Sequence, residues 1–143
     1  MISYVVDASV AIKWCLPAQN ELFVAQAYCL LDSYRTGDLQ FVVPDLFWLE
    51  VANALCKGVW KGTIDAPWAE KSYAEIGDLE IPTIASAEFV PKALQLALHH
   101  GRTVYESLYV ALALHTRVDL ITADERLANS LAARFPVKWL GAF

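Results

Sequence analysis

Four acidic residues stand where a carboxylate could do chemistry: Asp7, Glu50, Glu106 and Asp124. Asp7 ends the apolar run Ile2-Ser3-Tyr4-Val5-Val6 and precedes the helix-like pattern Val10-Ala11-Ile12-Lys13-Trp14-Cys15-Leu16. This reads as a buried strand, then Asp7, then a helix starting near Ser9. Asp124 holds the same kind of place, just behind Asp119-Leu120-Ile121-Thr122. In a parallel sheet all strand-to-helix junctions share one edge, and that edge is where open α/β sheets place their chemistry. If the two strands are neighbours, the two carboxylates converge.

Each acid also has a purely structural reading. Asp7 or Ser9 could cap the first helix, since both types are preferred caps. Thr103-Val104-Tyr105-Glu106 matches a capping box, and a negative charge suits the first turn of a helix. Thr122-Ala123-Asp124-Glu125 matches the same pattern. Glu50, Asn53 and Lys57 are the polar exceptions in an otherwise apolar helix, at spacing i, i+3, i+7. They form one narrow stripe facing either water or a cleft. A helix this apolar has little solvent face, which favours the cleft.

Several ionised carboxylates within a few ångströms repel, and a dry site raises their pKa values. A divalent cation resolves the conflict. Oxygen ligands without His or Cys select Mg²⁺ or Mn²⁺ over zinc. Such ions activate water and stabilise in-line displacement at a phosphodiester.

The elements that must position these groups alternate. Helices are expected from about Asn20 to Arg35, Leu46 to Lys57 (weakened or ended by Gly58), Trp68 to Asp78, Phe89 to His100, Val104 to His115 and Asp124 to Arg134. Strands are expected at Leu39–Val43, Ile81–Ala85, Asp119–Thr122 and Val137–Leu140, besides the first. Alternating strands and helices with short links predict an α/β fold. It has three α/β/α layers, a mostly parallel sheet of about five strands, and helices on both faces.

At 143 residues the chain is most simply one domain, 1–143, with no repeat or linker. Hydrophobic residues make up 57% and charged ones 19%, more apolar than a typical soluble domain. The aromatics suit either a heavily packed core or an interface. A net charge of −5 argues against binding nucleic acid through a general basic field. It leaves room for an enzyme whose acids hold cations. Three widely spaced cysteines with no C-x-x-C argue against a disulfide framework or zinc site, and fit a reducing cytoplasm. No signal peptide or membrane span is expected.

Four segments together resemble the PIN-domain family, in particular the small toxins of VapBC type. They are Val5-Val6-Asp7-Ala8-Ser9, the stretch from Pro44 to Leu55, the stretch from Thr103 to Ala113, and Leu120-Ile121-Thr122-Ala123-Asp124. Each motif alone is weak, and four in register are specific. The resemblance implies a metal-dependent ribonuclease whose acidic quartet, here Asp7, Glu50, Glu106 and Asp124, holds Mg²⁺ or Mn²⁺. It further implies RNA as substrate, a small antitoxin that covers the cleft, and a homodimer or higher homo-oligomer. The third acid in the family is most often Asp; here it is Glu106, whose carboxylate reaches about 1.5 Å further.

Ser9, Asn53 and Thr122 are candidates for orienting the carboxylates by hydrogen bonding. Their local alternatives are helix caps for Ser9 and Thr122 and a surface group for Asn53. Lys13, Lys57, Lys61, Arg102 and Arg126 could meet phosphates at the rim, though as a group they read as solvated charges. His99, His100 and His115 read as helix-end residues meeting the dipole. Three other readings compete. A haloacid-dehalogenase-type phosphatase would carry a second Asp two residues after Asp7, where Ser9 stands. A receiver domain would need an Asp after a middle strand. A PIN-like module that binds RNA or protein without cleaving is favoured only by Glu106.

Overall fold

Five strands form one sheet: β1 (Ile2–Val6), β2 (Leu39–Pro44), β3 (Thr83–Ile84), β4 (Asp119–Thr122) and β5 (Val137–Trp139). Their order is β3-β2-β1-β4-β5, and every pairing is parallel. The structure is a computed structural model that describes residues 1–143, the side chain of Asn20 excepted. Parallel strands are covered on both faces and so read as continuous apolar runs. Val5, Val6, Leu120 and Ile121 are fully buried accordingly.

Seven α-helices cover the sheet: α1 (Ala8–Ala11), α2 (Val24–Thr36), α3 (Leu46–Trp60), α4 (Ala66–Gly77), α5 (Val90–His100), α6 (Val104–Thr116) and α7 (Glu125–Leu131). Right-handed crossovers place α1 to α4 on one face and α5 to α7 on the other. α1 packs on α3, and α2 on β2. Opposite them, α6 lies across β1, β2 and β4, with α5 packed against it. This double cover buries every residue of α6 from Ser107 to Ala113, and it explains a helix with almost no polar face.

β1 is the topological switch. The chain leaves β1 towards β2 and leaves β4 towards β5, so the two connections part to opposite faces. They open a crevice at the carboxyl ends of β1 and β4. Val6 pairs with Ile121, and the Asp7 amide donates to the Ile121 carbonyl at 3.0 Å. The backbone behind Asp7 is therefore locked to the strand that leads to Asp124.

Several local expectations change. Gly58 does not end α3, which runs on to Trp60. Gly58 is buried against Ile64 and Leu16, so its missing side chain serves close packing within the helix. The second helix starts at Val24 rather than Asn20. Ala18–Asn20 is a 3₁₀ turn, and Phe23 takes a left-handed conformation with φ 59°. Phe23 packs edge-on against Trp139 at 5.2 Å. α7 ends at Leu131 rather than near Arg134. Lys13 is not solvated: it is 8% exposed and lies 3.5 Å from Glu21 Oε1. Many aromatics belong to the core, with Phe41 stacked between Tyr34 and Trp14. Trp60 remains 76% exposed. No helix among the described residues is long and apolar enough to cross a membrane.

Candidate active site

Asp7, Glu50, Glu106 and Asp124 line one cavity of about 310 Å³ at the crevice, together with Ser9, Asn53 and Lys57. The carboxylates arrive on four separate elements. Asp7 follows β1, Asp124 follows β4, Glu50 comes from α3, and Glu106 from the first turn of α6.

Asp7 sits at the N-cap position of α1 without capping it. Its Oδ2 instead accepts hydrogen bonds from Ser9 Oγ at 2.7 Å and Thr122 Oγ1 at 2.8 Å. Both hydroxyls are themselves held by backbone: the Ala123 amide donates to Ser9 Oγ at 3.0 Å, and the Asp124 amide to Thr122 Oγ1 at 3.1 Å. Neither Ser9 nor Thr122 caps a helix, which corrects the local alternative for both. Thr122 is fully buried, so its hydroxyl has no water to turn to. Burial pushes the Asp7 carboxyl above its ordinary value. The two hydroxyls, and more weakly the nearby Ser9 and Ala8 amides, pull against that rise.

Asp124 is itself the cap of α7, with Oδ1 accepting from the Arg126 amide at 3.0 Å and the Leu127 amide at 3.1 Å. The cap thus stands two residues later than the sequence reading placed it, at Asp124 rather than Thr122. At Glu106 half of the expected capping box forms: Thr103 Oγ1 accepts from the Glu106 amide at 3.1 Å, while among the described residues no bond returns from the Thr103 amide to the Glu106 carboxylate.

Glu50 has a partner that sequence reasoning missed. Tyr109 Oη donates to Glu50 Oε1 at 2.7 Å. Burial pushes the Glu50 carboxyl up, the Tyr109 bond pulls it down, and the charges of Asp7 and Glu106 push it up again. The signal for Tyr109 was its place three residues after Glu106, on the same face of a helix whose neighbours are apolar. Asn53 lines the cavity, but no hydrogen bond joins it to a carboxylate among the described residues. Lys57, on the stripe with Glu50, lines it too, whereas Lys61 does not.

The sequence model of the PIN domain matches residues 4–130. The chain belongs to the PIN-domain family. Ribonuclease VapC3 of Pyrobaculum aerophilum is 31% identical over 131 residues, covering 90% of this chain and 95% of the relative. Two solved structures share the fold. The crystal structure of PAE2754 from Pyrobaculum aerophilum has a TM-score of 0.71 and 19% identity, covering 99% of this chain and 85% of that one. A toxin–antitoxin complex from Klebsiella pneumoniae has a TM-score of 0.63 and 15% identity, covering 94% and 95%. Membership removes the phosphatase and receiver readings.

In this PIN domain no three acidic, histidine or cysteine side chains among the described residues are already gathered around one point as a metal ion would draw them. The carboxylates ring the cavity instead. Their chemistry nonetheless fits a hard divalent cation reached directly or through water. All four supply only oxygen, and Glu106 Oε2 is buried with no hydrogen-bond partner. A buried carboxylate oxygen without a hydrogen bond is costly unless a cation stands by it; the guanidinium of Arg102 does so, with Nη1 at 3.9 Å, and the fit to a metal rests on the all-oxygen donor set.

Proposed function

We propose that this PIN domain, residues 1–143, is a Mg²⁺- or Mn²⁺-dependent endoribonuclease and the toxin of a VapBC-type pair. The observation that carries this reading is the single cavity lined by Asp7, Glu50, Glu106 and Asp124 at the switch point of the sheet. The likeness to a protein named ribonuclease VapC3 supports it.

The chemistry a bound ion supplies is activation of a water and neutralisation of charge at the phosphate and the departing 3′ oxygen. The protein's part is to hold the donors ready. Ser9 and Thr122 fix Asp7 through one oxygen. Tyr109 does the same for Glu50, and the α7 amides for Asp124. Each acid keeps a second oxygen for the ion or its waters. Lys57 meets a phosphate at the cavity wall as a point charge. Asn53, beside it, donates to phosphate or sugar oxygens. These groups position the backbone of the RNA, which carries no sequence information by itself.

The partners in this reading are RNA, a small VapB-like antitoxin that covers the acidic cavity, and a second copy of the chain. The site of action is the cytoplasm, where three free cysteines are at home. The test is direct. Protein stripped with EDTA is mixed with labelled RNA, and Mg²⁺ or Mn²⁺ is added back. Cleavage that appears only on addition is expected. Undiminished cleavage in EDTA contradicts the metal requirement, and no cleavage under any condition favours a binding module.

A further inference from the structure

Three of the four carboxylates are held in one way: Asp7 through Oδ2, Glu50 through Oε1 and Asp124 through Oδ1. One oxygen is tethered and the other is left over. Glu106 departs from this, because its buried Oε2 accepts no hydrogen bond. What stands beside that oxygen is Arg102, with Nη1 at 3.9 Å.

Arg102 is no loose surface cation. Its Nη2 donates to the Arg126 carbonyl at 2.6 Å, and its side chain is only 19% exposed. Arg126 lies in the first turn of α7, and its amide is capped by Asp124. One guanidinium therefore joins the start of α6, which carries Glu106, to the start of α7, which follows Asp124. A planar fork presents a separate nitrogen to each contact, Nη2 to the carbonyl and Nη1 towards Glu106, whereas an ammonium has one nitrogen to share between them. Glu106 also has more need of such a partner than an Asp would. Its carboxylate sits one bond further from the backbone, and the added rotatable bond must be restrained.

We propose that Arg102 is a positioning residue for Glu106: it holds Oε2 from behind, leaves Oε1 to the cavity, and sets the spacing between the α6 and α7 termini. This rests on the metal-nuclease reading above. Two effects oppose each other when Arg102 is removed. Loss of a positive charge near a cation site tightens ion binding on Coulombic grounds. Loss of positioning weakens it. The sign of the change therefore tells which effect dominates.

The experiment is calorimetric titration with Mn²⁺ of the parent, Arg102→Met and Arg102→Lys, each also made with Glu106→Gln. Arg102→Met weakens Mn²⁺ binding about tenfold, at the low end of what losing a ligand's orienting partner costs. Arg102→Lys keeps the charge and weakens binding less, by about threefold on the same scale. With Glu106→Gln in place, Arg102→Met has little further effect, because the two residues act through one contact. Mn²⁺ binding that is unchanged or tighter in Arg102→Met, parent-like affinity in Arg102→Lys, or an equal loss in the Glu106→Gln background overturns the proposal. A parent that takes up no Mn²⁺ overturns the metal-nuclease reading and this proposal with it.

Discussion

Tyr109 and Glu50, on two helices from opposite faces of the sheet, meet in a 2.7 Å hydrogen bond at the cavity. Tyr109 is 2% exposed. Burial and the charges of Asp7 and Glu50 push its hydroxyl far above the ordinary value, so it remains a donor. A hydrogen bond from a neutral donor to a carboxylate favours the charged acid, the form that can hold a cation.

Tyr109→Phe keeps the ring and removes the donor. The Glu50 carboxyl then rises further, because one of the causes lowering it is gone. The acid limb of the cleavage–pH profile moves to higher pH. Cleavage at neutral pH falls roughly tenfold, as for loss of an orienting partner. Stability changes by about 1 kcal/mol, the net value of one hydrogen bond. Rates across pH and urea denaturation measure the two effects separately.

Metal-free stability depends on pH with a definite sign. Asp7 and Glu50 both have carboxyls raised in the folded state. Between the ordinary and the raised values, the folded protein binds more protons than the unfolded chain. Their contribution is fully present below the ordinary carboxylate range and is lost as pH rises through the raised values. Asp7→Asn removes one titrating group while keeping an acceptor for Ser9 and Thr122. Its melting temperature in EDTA exceeds the parent's at neutral pH, and the difference closes in acid. Thermal melts followed by circular dichroism check both arms.

Mn²⁺ reverses that balance. An ion that binds only the folded state stabilises it by about 2.7 kcal/mol at a hundredfold excess over its Kd. Thermal melts of the parent with and without Mn²⁺ show that rise. Under the proposed metal-nuclease reading, Glu50→Gln shows much less of it, since one carboxylate charge at the cavity is gone.

Gly58 tests the packing between α3 and the segment after it. A Cβ there would meet Ile64 Cγ1 at 3.2 Å and Cδ1 at 3.3 Å. Those atoms belong to a side chain that can give a little, and Ala is the better helix former. Gly58→Ala therefore stays within about 1 kcal/mol of the parent. Gly58→Leu overfills the site and costs about 1–3 kcal/mol. Chemical denaturation of both variants measures this.

Much of this site is legible in the residues themselves. Asp7 and Asp124 announce strand-to-helix junctions, and Glu50 stands out because its helix has almost no other polar residue. What local pattern cannot show is adjacency. Ser9 and Thr122 look like caps when only their own segments are considered. They become clamps on Asp7 because β1 and β4 are neighbours, which no short-range signal encodes. Tyr109 stays hidden for the same reason, its partner lying 59 residues away; Arg102 is legible as a cation four residues before Glu106, but its bond to the Arg126 carbonyl, 24 residues on, is not. Gly58 misleads because glycine at a helix end and glycine at a close contact look alike in sequence.

Asp7 stands at the centre of the proposed metal-dependent ribonuclease site. The most direct measurement is the rate of RNA cleavage by Asp7→Asn beside the parent, in saturating Mn²⁺ and at equal folded concentration. A loss of roughly 100-fold or more is predicted, equal to at least about 2.7 kcal/mol of transition-state stabilisation. Cleavage by Asp7→Asn at the parent's rate would contradict the account.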